Sequence, residues 1–172
     1  MLSEILGSIK QLTKNVYIYF GTIERKNKDN IEKKLIAFSP IKIIKGEQNI
    51  KIESGDIIRF YSENETLFLI RQWSENGSDL TPAITFNDNN VPVSAGTIQE
   101  LVKRLTYRVE GAVSKPSQLL IASSMSLDSI IDVAGGYTLA ANTSRIEIVK
   151  PNRDSDNNFI LETEILNKAE TD

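Results

Sequence analysis

Tyr107-Arg108-Val109-Glu110-Gly111-Ala112-Val113-Ser114-Lys115-Pro116 leads into Ser126-Leu127-Asp128-Ser129-Ile130-Ile131-Asp132-Val133-Ala134-Gly135-Gly136-Tyr137 and then into Arg145-Ile146-Glu147-Ile148-Val149-Lys150. Tyr107 to Val113 reads as a strand, inside a hairpin running from about Leu105 to Ala122. Leu127, Ile130, Ile131 and Ala134 recur at helical spacing and predict one buried helix face. Gly135-Gly136 then reads as the stop, because a residue at positive φ ends a helix at little steric cost. Two more strands are expected near 144 to 150 and 158 to 166. Short strands mixed with single helices, without regular βα alternation, give an α+β fold rather than a doubly wound sheet.

Working back from that stretch, Leu2, Ile5, Leu6, Ile9 and Leu12 predict an amphipathic helix of about three turns with one buried stripe. Val16 to Arg25, rich in Val, Ile, Tyr, Phe and Thr, reads as a strand, and Lys34 to Phe38 as a second one after the polar loop Lys26 to Asn30. Pro40 to Gly46 has proline where a helical turn starts and glycine where it stops. Ile50 to Phe60 alternates around a Ser54-Gly55-Asp56 turn that leads into a closing strand. In the stretch Glu63 to Leu105, Leu67-Phe68-Leu69-Ile70 has strand length. Thr97-Ile98-Gln99-Glu100 has the form of a capping box, with Ile98, Leu101, Val102 and Leu105 behind it, so a short helix is expected there. An extended strand from Lys103 competes with its last turn.

The three motifs resemble the SLBB (soluble-ligand-binding β-grasp) module: a strand ending in G-x-V-x-x-P, a short helix ending in A-G-G, and a strand with a basic residue. Earlier in the chain Phe38, Ile43 or Ile44, Gly46, Ile52, Gly55-Asp56 and Ile58 stand in the order of the module's F-x-x-x-x-I-x-x-G and L-x-x-G-D-x-I stretches. The resemblance implies two β-grasp-like repeats, each a small mixed sheet packed on a helix. Residues 1–62 would form the first, lacking its opening hairpin; 63–104 would connect; 105–172 would form the second, lacking its closing strand. An ungapped offset of 125 residues supports a repeat, since it places Leu2 on Leu127, Ile5 on Ile130, Leu6 on Ile131, Thr13 on Thr138, Ile23 on Ile148 and Arg25 on Lys150. On this expectation the chain is a piece of a longer protein, or its incomplete modules are completed by strands of a neighbouring copy.

Composition narrows the functions. The chain has 172 residues, 40% of them hydrophobic, and a net charge of -3, with no Lys/Arg run to track phosphates, so nucleic acid is not expected as a partner. No stretch approaches the roughly 20 apolar residues that span a bilayer, and Met1-Leu2-Ser3-Glu4 lacks the basic start of a signal peptide. There is no cysteine and no histidine. That removes thiolate and imidazole metal sites, the commonest general base and the most reactive nucleophile, and no G-x-S-x-G elbow or phosphate-binding glycine loop replaces them. No catalysis, cofactor or metal is expected.

The resemblance implies a non-catalytic module of a capsule or exopolysaccharide export protein, periplasmic or outer-membrane associated. Its implied partners are polysaccharide or oligosaccharide, neighbouring subunits and other export-machinery proteins. The alternative is a generic periplasmic saccharide- or cell-wall-binding module that forms no channel. Exporters of this type carry an N-terminal domain with a P-E-S-like motif, which these residues do not contain. Candidate ligand-binding residues are Trp73, whose indole suits the C–H face of a sugar, with Arg71 beside it; the strand cations Arg25, Arg145 and Lys150; and Gly111, where a backbone can approach closely. Each has a structural reading as well: core or interface for the Trp, edge protection for the cations, a bulge for the glycine. Neither Val16 to Arg25 nor Phe159 to Leu166 contains a proline to blunt a sheet edge, so self-association through strand addition is expected.

Overall fold

A computed structural model describes residues 1–7, 15–26, 33–74, 84–86, 92–94, 97–153 and 159–166. The chain runs α1 (Leu2–Leu6), β1 (Val16–Lys26), β2 (Lys33–Phe38), α2 (Pro40–Ile44), β3 (Ile57–Ser62), α3 (Glu63–Ser74), β4 (Ile84–Phe86), β5 (Pro92–Ser94), α4 (Ile98–Leu105), β6 (Thr106–Val109), β7 (Ser117–Leu120), α5 (Leu127–Val133), β8 (Ile146–Arg153) and β9 (Phe159–Leu166). The fold is α+β. Five strands form one sheet in the order β3-β1-β2-β5-β4, while β6-β7 and β8-β9 are two-stranded. Every pairing among the described strands is antiparallel, which corrects the expectation of mixed sheets. Parallel neighbours need a long crossover, and here β1, β2 and β3 return on one another instead.

β1 is an interior strand, and alternation sends its residues into two cores. Ile23 joins Ile36 and Phe38 of β2, Leu2 and Leu6 of α1, and Ile43 of α2 on one face. Phe20 joins Ala37 of β2, Ile70 of α3, and Leu101, Val102 and Leu105 of α4 on the other. Val16 to Arg25 is therefore not a free edge, contrary to expectation; β2 and β3 cover both its sides. Gly21 faces Phe38 across the pair, and a Cβ built on it would lie 2.5 Å from the ring. The absent side chain is what lets Phe38 lie flat over β1 and meet Phe60 edge-on, with centroids 5.7 Å apart.

Two helices open on capping boxes. In α4 the Thr97 amide donates to the Glu100 carboxylate at 2.9 Å, and the helix runs to Leu105, so the competing strand from Lys103 does not form. In α3 the Ser62 amide donates to Glu65 at 2.7 Å and the Glu65 amide donates to Ser62 Oγ at 3.3 Å. That helix overturns the strand expected at Leu67 to Ile70: Ile70 is buried and Phe68 is exposed, as a helix face requires and an apolar strand run does not. The stretch 63–104 is no mere connection, because α3 and α4 cover one face of the sheet and β4 and β5 extend it.

The first helix also differs from expectation. It spans Leu2–Leu6 and ends at Gly7, φ 51; Leu2 and Leu6 are buried but Ile5 is 56% exposed. Ile9 and Leu12 lie outside the described residues. The offset of 125 carries α1 onto α5 and β1 onto β8, but among the described residues β1 sits inside five strands and β8 pairs with β9 alone. No helix among the described residues is long and apolar enough to cross a membrane.

Gly21→Ala is expected to displace the Phe38 ring and cost about 2 kcal/mol, the range of overpacking in a filled core. Urea unfolding of the variant at neutral pH measures it, and an unchanged midpoint would show that the ring has room to move.

Candidate functional site

The sequence motifs of the second half meet in space. Hairpin β6-β7 ends in the turn Gly111 to Pro116, and α5 ends at Ala134-Gly135-Gly136. Ser126 Oγ caps the start of α5 by accepting from the Ser129 amide, and Gly135 and Gly136, at φ 82 and 80, close its end by donating to the carbonyls of Asp132 and Ile131, both at 2.9 Å. The glycine stop read from the sequence is thus observed. Three backbone bonds then join the motifs: the Ser114 amide to the Gly136 carbonyl, the Lys115 amide to the Ala134 carbonyl and the Thr138 amide to the Ala112 carbonyl, each 2.9 Å. Val113 and Tyr137 form an isolated bridge at the same place.

Beneath this seam lies a third core. Val109, Val113, Leu119, Ile121, Ile131 and Ala134 are buried together. Gly135 has Ser114 Cβ at 3.1 Å from where its own Cβ would stand, so its small size admits the turn as well as its φ. Gly111, in contrast, is exposed at φ 89 with open space around it, in a tight turn whose Val113 amide donates to its carbonyl at 2.9 Å. It is neither the bulge nor the close approach expected, since the strand stops at Val109 and not at Val113.

The other candidate residues are dispersed over the fold. Arg25, on β1, is held in place by four hydrogen bonds: Nε and Nη2 to the two Asp56 oxygens at 2.9 and 2.7 Å, Nη1 to Glu53 at 2.8 Å, and Nη2 to the Lys51 carbonyl at 2.7 Å. The Asp56 side chain is 1% exposed. The Arg25 hydrogen bond holds that carboxyl below its usual range against the opposing effect of burial, and the Glu53 amide adds to it. Arg145 stands exposed before β8 and pairs with Glu147 at 2.9 Å. Arg71 is exposed on α3, and Trp73 is on the same helix, although its side chain lies outside the described residues. Lys150 is on β8, its side chain likewise outside them.

No motif marked the site that the fold builds between its halves. A cleft of about 420 Å3 opens between α2 and the loop from β7 to α5, lined in part by Tyr19, Lys42, Ser123 and Asp132. Lys42 Nζ crosses it to the Ser124 carbonyl at 2.7 Å. Ser123 is 6% exposed and its hydroxyl has no hydrogen-bond partner. The run Ala122-Ser123-Ser124-Met125-Ser126 carried no pattern beyond being rich in serine.

Comparison of the chain with protein-family models, with curated proteins and with solved structures finds no match.

Gly135→Ala is expected to strain the backbone and push on Ser114, with a loss of about 2 kcal/mol, as is usual for a side chain forced to positive φ. Amide hydrogen exchange should show Ser114 and Lys115 losing protection before the central sheet does. Arg25→Ala leaves a buried carboxylate without its cation and is expected to cost about 3 kcal/mol at neutral pH. Because the folded Asp56 pKa is depressed, the pair's stabilisation is complete above the ordinary Asp value of about 3.9 and is lost as pH falls through the lower folded value. Urea unfolding at pH 7 and pH 3 should find the wild-type advantage smaller at pH 3; an equal gap would assign the effect to something other than this ion pair.

Proposed function

We propose that the chain is a non-catalytic, SLBB-like part of a capsule or exopolysaccharide export protein, working in the periplasm or at the outer membrane and contacting saccharide polymer or neighbouring subunits. The observation that carries this reading is the seam between the G-x-V-x-x-P turn and the A-G-G stop. Two motifs separated in sequence by an entire strand and a helix are held together by three backbone hydrogen bonds, which gives the motif residues a joint structural purpose. A second support comes from the first half. Phe38, Ile43, Ile52 and Ile58, the apolar positions of its pattern, all reach one core. On this reading residues 1–62 and 105–172 are β-grasp-like repeats, and the Arg25 to Asp56 pair ties the basic strand position of the first to its G-D turn.

The lack of His and Cys in the sequence supports binding rather than turnover. Self-association belongs to the same proposal, with β8-β9 as its candidate surface: neither strand pairs elsewhere among the described residues, and Val149 and Ile165 are 55% and 58% exposed. Incubation with capsule-type and exopolysaccharide oligosaccharides, read by mass spectrometry and by light scattering over a concentration series, tests the reading. The expected result is unchanged oligosaccharide masses together with saccharide binding or concentration-dependent association. A shortened product would overturn the non-catalytic assignment, and a monomer that binds no oligosaccharide would overturn the export assignment.

A further inference from the structure

We propose that the outer edge of β9 in one copy of the chain adds antiparallel to the outer edge of β3 in a second copy, with Glu164 opposite Arg59 and Ile165 opposite Ile58. This rests on the self-association proposed above and adds to it the receiving strand and the register. The five-stranded sheet ends in β3 on one side and β4 on the other, and β8 and β9 pair with no third strand among the described residues. A ribbon of two strands is marginally stable in water by itself, so the hairpin gains from a further neighbour. Proline removes a ladder donor, and Pro151 stands in β8, whereas β9 has no proline. Among the possible receivers β4 has three residues and β6 four, against six in β3, which has no proline either.

Side chains select the register. Arg59 on β3 and Glu164 on β9 are both exposed. Set opposite each other in an antiparallel pair, they form a cross-strand ion pair and bring Ile58 against Ile165 and Ile57 against Leu166. The exposed Ile57 and Ile165 both lose water on that pairing. The faces agree as well. Ile58 and Phe60 pack on the first core, and period two puts Ile165 and Thr163 on their side of the extended sheet. Val149, also exposed, lies opposite Thr163 in the hairpin and joins them there. A slip of one residue would turn Ile165 to the other face, and a slip of two, with Glu162 opposite Arg59, would set Glu164 against Ile57.

This match of charge on one face and apolar side chains on the other is what commits the edge to a second copy. An exposed cation on an edge strand deters chance pairing, and the Glu164 carboxylate lifts that barrier for one partner in one register. The antiparallel sense is that of every described pairing and makes the straighter ladder bonds. Each copy offers one donating edge and one receiving edge, so the contact closes in a pair that exchanges both hairpins or in a ring.

Light scattering over a concentration series, with wild type, Arg59→Glu, Glu164→Arg and an equimolar mixture of the two variants, tests the proposal. Wild type should associate. Either variant alone sets like charges opposite and should associate about tenfold more weakly. The mixture should recover the wild-type association, because every β9 then finds a β3 of opposite charge on the other variant. Amide hydrogen exchange should show β3 and β9 gaining protection as concentration rises. Both positions are exposed, and thermal unfolding checks that the variants fold. Association that neither substitution alters, or a mixture as weak as its components, would overturn this pairing while leaving self-association through another surface intact. Protection of β3 and β9 in a chain that stays monomeric would place the chain's own hairpin on the edge and overturn the second copy. A monomer with neither strand protected would overturn the pairing as well, and the export reading is then judged by oligosaccharide binding alone.

Discussion

Burial of β1 on both faces is the constraint on which the rest of the structure depends. The middle of β1, Phe20 to Ile23, has neighbours on both sides and packing on both faces, so each residue there must suit a packed environment. Ile23 and Phe20 do so as apolar side chains in opposite cores. Thr22, 1% exposed, has its hydroxyl within 3.0 Å of the Tyr61 hydroxyl on β3, which satisfies it. Gly21 contributes by having nothing to pack. Arg25 comes at the end of the strand where the interior gives way to solvent, and Asp56 holds it there while its own turn carries the chain into β3. The ion pair thus closes the sheet where side-chain burial runs out.

The second half joins this frame through a strand that obeys the same rule. Leu119 and Ile121 belong to the core under α5, whereas Leu120 and Ala122 belong to the core under α4. Period-two alternation makes the end of β7 a shared wall between two cores, which is why Leu119-Leu120-Ile121-Ala122 is continuously apolar and not alternating. Its backbone is tied on as well: the Ile121 amide donates to the Leu105 carbonyl at 2.9 Å and the Ala122 amide to the Tyr19 carbonyl at 3.0 Å. The seam between the Gly111 turn and the α5 stop then secures the far side of the same core.

What the sequence made legible follows from how local the signals are. The helix stop at Gly135-Gly136, the Thr97-x-x-Glu100 box and the β-branched run of β1 are decided within a few residues, and the observed elements agree with them. Ser62-x-x-Glu65 was equally local and legible, but the apolar run Leu67 to Ile70 behind it drew the reading toward a strand. Short apolar runs do not discriminate helix from strand by themselves; here packing of Ile70 beside α4 decided it. The interior place of β1 was not legible, because its pairing with β3, as at Ile23 opposite Ile58, joins residues far apart in the chain. Of the proposed site, the motif residues of the seam were readable. The cleft was not, since serines and lysines are ordinary surface residues until two remote segments face each other.

That facing arrangement links the cleft to the architecture. One wall comes from α2, packed on the first core through Ile43, and the other from the loop and α5, packed on the third through Ile131. Both cores border β1 or its neighbours, and Tyr19 leaves β1 to pack against the third core while also lining the cleft. The Lys42 to Ser124 bond is therefore a strut between the halves. Anything that fills the cleft and touches both walls makes its full set of contacts only when the halves are docked, and so it stabilises that docking by its own binding free energy.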